Sequence, residues 1–180
     1  MFARIAVSQP EKQVTTMLTA AQHDALLKGV HESRIAQRKG GGGKQLSYLE
    51  AWDVKAHLIR VFGFTGFSSD VVAAELMFED QAGNNWQVGY KVVLRLTLHG
   101  VSPTDEDVTY TEAAVGSASL PQRGEAHDMA IKTAESDALK RAAINLGDQF
   151  GLSLYNNGSL RPVVMGVKVV NVPIEEQTNE

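Results

Sequence analysis

Between Trp86 and Leu98 every second residue is apolar without a break: Trp86, Val88, Tyr90, Val92, Leu94, Leu96 and Leu98. The opposite face carries Gln87, Lys91, Arg95, Thr97 and His99. Successive side chains of an extended chain point to opposite sides, so this pattern fixes a strand with one dry face and one wet face. Such a strand needs neighbours, and both flanks offer one. Ser69 to Asp80 reads as a strand with Val72, Ala74, Leu76 and Phe78 on one face. The QAGN stretch at 81–84 is a hairpin turn, with Gly83 and Asn84 available for positive φ. HGVSPTDED, 99–107, is a second turn, and Val108 to Val115 is a third, weaker strand.

Helical spacing appears on either side of this hairpin region. Thr16 to His31 reads as a helix capped by Thr19, with Leu18, Ala21, Ala25 and Leu26 recurring on one side. Glu50 to Val61 reads as a second helix, with Trp52, Ala56 and Ile59 on its inner faces and Val54, Leu58 and Val61 as further candidates for them. SASLPQRGEAHD, 117–128, reads as a loop running into a long helix from about Glu125 to Phe150. Its stripe is Ile131, Ala134, Ala138, Ala142, Leu146 and Phe150. Glu135 intrudes beside that stripe and calls for a partner, on this subunit or another. The order of elements predicts an α+β fold: a three- to four-stranded antiparallel sheet packed on a long helix, a β-β-β-α core. Residues 1–15 read as a mobile arm, 16–158 as one domain, and 159–180, with its VVMGVKVVNV run, as an extra strand or a flexible tail.

Composition narrows the partner classes. The 180 residues are 43 % hydrophobic, enough for one core, and contain no cysteine for disulfide or thiolate metal chemistry. No apolar run approaches the ~20 residues of a membrane span, and the N-terminus lacks a signal-peptide core. A soluble, cytoplasmic protein is expected. Net charge is −4, yet residues 28–60 hold seven basic groups against three acidic ones, whereas 61–120 hold two against eight. A cationic segment inside an anionic chain suits a polyanion, because local potential governs phosphate binding more than the sum does.

The basic segment contains RIAQRKGGGGK, residues 34–44, read as a glycine-rich loop. It fails as a nucleotide loop. Gly43-Lys44 is followed by Gln45 where Ser or Thr is needed, Arg38 stands where the first glycine belongs, and a short strand, Gln45 to Leu49, follows instead of a helix. A flexible loop carrying Arg38, Lys39 and Lys44 to phosphates fits better. The five histidines form no i, i+4 pair and no nucleophile elbow exists, so no metal, cofactor or catalytic residue is expected. A metal-dependent nuclease using Glu75, Glu79 and Asp80 lacks a ligand pattern. On the long helix Lys132 and Lys140 are eight residues apart, about two turns, so they project in related directions, with Arg141 further round. With Arg38, Lys91 and Arg95 they form a candidate phosphate groove. Tyr48, Trp52, Phe62, Phe64, Phe67 and Tyr90 are the aromatics on which bases could stack, Tyr48 foremost.

Two blocks resemble a known family. QLSYLEAWDVKAHLIRVFGFTGFSSDVV and AIKTAESDALKRAAINLGDQFGLSLY are similar to the Rad-fifty-two recombination proteins, in the same order and separated by the expected hairpin. The resemblance covers roughly residues 33–157. It implies side-by-side assembly into a ring or helical oligomer. Single-stranded DNA would lie in an outer groove with its bases presented, so that complementary strands anneal without ATP. It places the groove's basic positions on Arg38, Lys132, Lys140 and Arg141 and its tyrosine on Tyr48. Ile144 stands where the family has a further arginine. Of the family's second, outer DNA site only Arg123 has a counterpart. The short C-terminal region suggests a phage or prophage type, acting in a bacterial cytoplasm beside host or phage recombination proteins. A passive protective module that binds single strands without annealing them is the alternative.

Overall fold

The computed structural model describes residues 18–43, 45–102 and 106–166. The arm at 1–15, Lys44, Asp105 and the tail beyond 166 lie outside the described residues.

Helix α1 spans Ala20–Leu26. Thr19 caps it through a reciprocal pair: the Gln22 amide donates to Thr19 Oγ1 at 3.2 Å, and the Thr19 amide donates to Gln22 Oε1 at 2.8 Å. Two helix-end donors are thereby satisfied at once. Strands β1 (Ile35–Lys39) and β2 (Gln45–Leu49) form an antiparallel hairpin, with Ala36 opposite Tyr48 and Arg38 opposite Leu46. The expected loop at 34–44 is therefore half strand. Among its described residues the chain turns at the glycines, with φ positive at Gly42 and Gly43, a conformation that costs a residue without Cβ least.

Helix α2 spans Ala51–Phe62 and buries Asp53, Val54, Leu58 and Phe62. Trp52 is 69 % exposed, contrary to its expected inward placement. Rotation of the buried stripe onto Val54, Leu58 and Phe62, four residues apart, leaves Trp52 outside. Asp53 takes a buried place because Arg34 neutralises it.

The sheet runs in the order β3-β4-β5, all antiparallel: β3 Phe67–Ala82, β4 Asn85–Leu98 and β5 Val108–Leu120. The alternation read in β4 holds, with Val88, Val92, Leu94, Leu96 and Leu98 buried. β3 departs from its expected face. Pairing slips between Val71 and Ala73 and again between Leu76 and Phe78, so Val72 and Met77 are bulge residues. Each extra residue flips the side chains that follow. Ala74 and Leu76, opposite Val92 and Tyr90, therefore lie on the helix side of the sheet yet stay exposed, whereas Phe78 turns to the other side and covers Gly89. β5 is longer than expected and absorbs Gly116 and residues 117–120 of the anticipated loop.

Helix α3 spans Arg123–Ile144, shorter than the expected run to Phe150. After it the chain turns at Gly147, φ 97°, into two short 3-10 turns, Asp148–Phe150 and Leu152–Tyr155. Its stripe is Ala126, Ala130, Ala134, Ala138 and Ala142, with Leu139 and Ala143 beside it, all buried. Short alanine side chains let α3 lie close on β4 and β5. The closest point is Gly116, where a Cβ would stand 2.3 Å from the Ala134 amide nitrogen and 2.5 Å from the Ala130 carbonyl oxygen. The core formed by α2, the sheet and α3 also receives Phe150 and Leu154. Asp148 is fully buried, and its Oδ2 accepts the amides of Val163 and Val164 at 2.9 Å each. Residues 160–166 therefore cross the surface as a strap without regular structure. Among the described residues Glu135 has no hydrogen bond or ion pair.

Candidate nucleic-acid interface

Leu49, with Ile35 packed beside the same cluster, anchors the β1–β2 hairpin on the core. Between the hairpin, the β5 edge and the C-terminal half of α3 runs a groove of about 830 Å3. Arg38, Tyr48, Lys91, Lys140 and Arg141 line it together, with Ile144 and Tyr155. Residues from five stretches of chain thus converge on one trough.

The geometry within it is specific. Arg38 and Tyr48 are diagonal neighbours across the hairpin, and the Arg38 Cζ lies 5.4 Å from the Tyr48 ring centroid. Lys140 Nζ, from α3, lies 5.6 Å from the same centroid. Both distances suit cation–π attraction, so Tyr48 holds two positive charges near each other. Its phenol donates to Glu50 Oε1 at 2.8 Å. That bond, followed by desolvation, holds the phenol above its ordinary pKa.

Carboxylates accompany most of the cations. Lys140 Nζ is 2.6 Å from Asp137 Oδ1 and Arg141 Nη2 is 3.5 Å from Glu112 Oε2. Lys91 Nζ, reaching the groove from β4, is 4.0 Å from Glu75 Oε2, its cross-strand partner.

The remaining candidates lie elsewhere. Lys39 is exposed at the end of β1, and Lys44 lies outside the described residues. Arg95 is exposed on the sheet face away from α3, between Asp70 and Thr111. Lys132 is nearer the N-terminus of α3, paired with Asp128 Oδ2 at 2.7 Å, and does not line the groove. Arg34, counted in the cationic segment, is an internal partner of Asp53. Of the six aromatics weighed for stacking, only Tyr48 lines the groove. Phe62 is buried, while Trp52 and Phe64 are exposed away from it. Sequence reasoning missed Tyr155, 71 % exposed beside Ile144, and the three carboxylates Asp137, Glu112 and Glu50. The i, i+3 spacing of Asp137 and Lys140 was a readable signal for one of them.

At the other end of the sheet, Arg123 Nε donates to Glu79 Oε1 at 2.6 Å and its guanidinium lies 5.4 Å from the Trp86 centroid. His127 joins them, with Nε2 3.4 Å from Glu79 Oε2 and Nδ1 3.0 Å from the Tyr90 hydroxyl. The Arg123 hydrogen bond holds the Glu79 carboxyl below its ordinary pKa. This cluster fastens the start of α3 to β3 and β4. Among the described residues no three His, Asp or Glu side chains gather to hold a metal ion, and no helix is long and apolar enough to cross a membrane.

A three-stranded antiparallel sheet backed by a long helix, with a cation-lined trough at its edge strand, defines an α+β domain. The sequence model of the Rad52/22 family of double-strand break repair proteins matches residues 19–166, and the chain belongs to that family. It is 29 % identical over 162 residues to the DNA repair and recombination protein rti1 of Schizosaccharomyces pombe, across 87 % of this chain and 42 % of that protein. It is 31 % identical over 134 residues to rad22 of the same yeast, across 72 % and 27 % respectively. To RAD52 of Saccharomyces cerevisiae it is 29 % identical over 129 residues, across 72 % and 26 %. The chain spans less than half the length of these relatives.

Proposed function

We propose that this chain binds single-stranded DNA in the groove and anneals complementary strands without ATP, in recombination and double-strand break repair, as a homo-oligomer. The observation that carries this reading is the meeting of Arg38, Tyr48, Lys91, Lys140 and Arg141 in one trough. Four basic groups can neutralise successive phosphates, which supplies most sequence-independent affinity. The trough is half open to solvent, so bases can face outward while the backbone is held. Relatives named as DNA repair and recombination proteins agree with this role. Self-association is supported by β3, an edge strand on which Val71, Val72, Leu76, Met77 and Phe78 are all exposed. Apolar side chains on an unpaired edge invite a neighbouring chain.

The test mixes labelled complementary oligonucleotides with the protein and no nucleotide. Faster pairing is expected. Tight binding with slowed pairing would instead assign a passive protective role, and absence of single-strand binding would overturn the reading. Magnesium-dependent loss of the labelled strand would identify a nuclease.

A further inference from the structure

Resting on the single-strand reading of the groove, we propose that Asp137 and Glu112 act as built-in competitors for DNA phosphate. They hold Lys140 and Arg141 when no strand is present and limit how tightly the groove retains one. Asp137 Oδ1 stands 2.6 Å from Lys140 Nζ, and Glu112 Oε2 stands 3.5 Å from Arg141 Nη2. Neither carboxylate has another hydrogen-bond or ion-pair partner among the described residues. Their contacts are thus directed at the groove cations alone. Lys91 repeats the pattern with Glu75 at 4.0 Å. Of the four cations lining the groove, only Arg38 has no carboxylate of the described residues within 4 Å, and it rests on the Tyr48 ring.

A phosphate that takes Lys140 or Arg141 must displace a carboxylate or share the cation with it. Both cases cost affinity. Displacement breaks an existing pair, and sharing leaves two anions a few ångströms apart in partly solvated surroundings. Half-exposed pairs of this kind are worth little to folding, so their removal leaves the domain intact. For DNA the same energies correspond to roughly two- to fivefold in affinity per carboxylate. An annealing protein benefits from that ceiling. It must hold a strand long enough to meet its complement, then release the duplex. A groove of unopposed cations would stay on its product.

The experiment uses the full chain and a labelled oligo-thymidine, which cannot pair with itself. Asp137→Asn and Glu112→Gln keep side-chain shape and remove the charge. Asp24→Asn, on α1 and outside the groove, changes net charge by the same amount. Fluorescence anisotropy at fixed salt is expected to show each groove variant binding about two- to fivefold tighter than wild type, the double variant tighter still, and Asp24→Asn changed by less than about 1.5-fold. With protein limiting, the double variant should also be retained longer on duplex product. Groove variants that bind no tighter than Asp24→Asn, while wild type does bind, would overturn the competitor role and leave the DNA reading standing. Failure of wild type to bind the oligonucleotide would instead remove the DNA reading, and the competitor role with it.

Discussion

The Arg34 guanidinium grips the Asp53 carboxylate through two nitrogens, Nη2 at 2.8 Å and Nε at 3.0 Å from Oδ2, with both side chains largely buried. Arg34 also donates to Gln149 Oε1 at 3.0 Å, and Gln149 in turn donates to the Lys28 and Gly29 carbonyls. One ion pair therefore ties the approach to β1, helix α2 and the turn after α3 together. Removing one partner leaves the other charge stranded out of water. Asp53→Ala is expected to lower stability by about 3–5 kcal/mol. Chemical denaturation of the purified variant measures this, and a loss under about 1 kcal/mol would contradict the buried pairing.

The contact between α3 and β5 at Gly116 makes a second prediction. A methyl group there would meet backbone atoms of Ala130 and Ala134, which cannot swing away as a side-chain tip can. Gly116→Ala should therefore destabilise by about 1–3 kcal/mol, toward the upper end, through displacement of the helix. Gly124 is the matched control. It lies in the first turn of the same helix, with nothing within 4 Å of its would-be Cβ, so Gly124→Ala should be neutral or stabilising by up to about 1 kcal/mol. Thermal melts of the two variants should move in opposite directions or differ by several degrees.

How far these features could be read from sequence depends on whether their cause is local. The β4 strand was legible because Val88, Val92, Leu94, Leu96 and Leu98 obey one period with no interruption. β3 was not, because the bulges at Val72 and Met77 arise from its pairing with β4, and a single extra residue reverses every face after it. Trp52 misled because two helix faces were apolar enough to be inward, and only the Arg34–Asp53 pair decides between them. Charge and helical spacing point to Arg38, Lys140 and Arg141 as groove residues, the aromatic ring singles out Tyr48, and the family resemblance selects the same four. Arg95 and Lys132 share their charge and exposure but stand on other surfaces. Glu112 and Glu75 oppose their cations across tertiary and cross-strand contacts, which no spacing along the chain encodes.

His57 gives the fold a pH dependence with a defined sign. Its ring packs edge-on to Phe150 at 5.1 Å, and both ring nitrogens are buried with no well-formed hydrogen bond. Burial first, then the Arg34 charge, lowers its pKa from 6.5 to about 4. The unfolded chain thus binds a proton that the folded chain refuses between those values. Stability from this residue is full above pH 6.5, falls as pH drops toward 4, and changes no further below that. The full shift corresponds to about 3 kcal/mol, and solvent screening at this half-buried ring brings the loss below that. In melts from pH 7.5 to 5, a His57→Leu variant should lose less stability than wild type. Parallel curves would show that His57 is protonated in the fold.

If the groove binds single strands through phosphates, its salt response should report its cations. Lys140→Ala with Arg141→Ala removes two of the four that line it. Binding of oligo-thymidine should weaken at every salt concentration. The slope of log affinity against log salt should flatten by about 1.4, or 0.7 per lost phosphate contact on a single strand. Lys39→Ala, outside the groove, should alter the slope by less. A double variant with unchanged affinity and slope would show that the strand runs elsewhere.

Self-association should depend on the apolar edge that the sheet leaves uncovered. Leu76 is 45 % and Met77 50 % exposed on β3, whereas α3 covers β4 and β5. A charge there costs the isolated subunit little, since neither side chain reaches the buried core. Between paired subunits the same charge would be stripped of water with no partner, which is strongly unfavourable. Leu76→Glu with Met77→Lys is therefore expected to reduce the particle mass at micromolar concentration toward that of a single chain. The thermal midpoint of the subunit should shift by only a few degrees. Light scattering after size exclusion reads the mass directly. An assembly of unchanged mass would place the contact between subunits on another face of the molecule, and a monomeric wild type would remove the assembly itself.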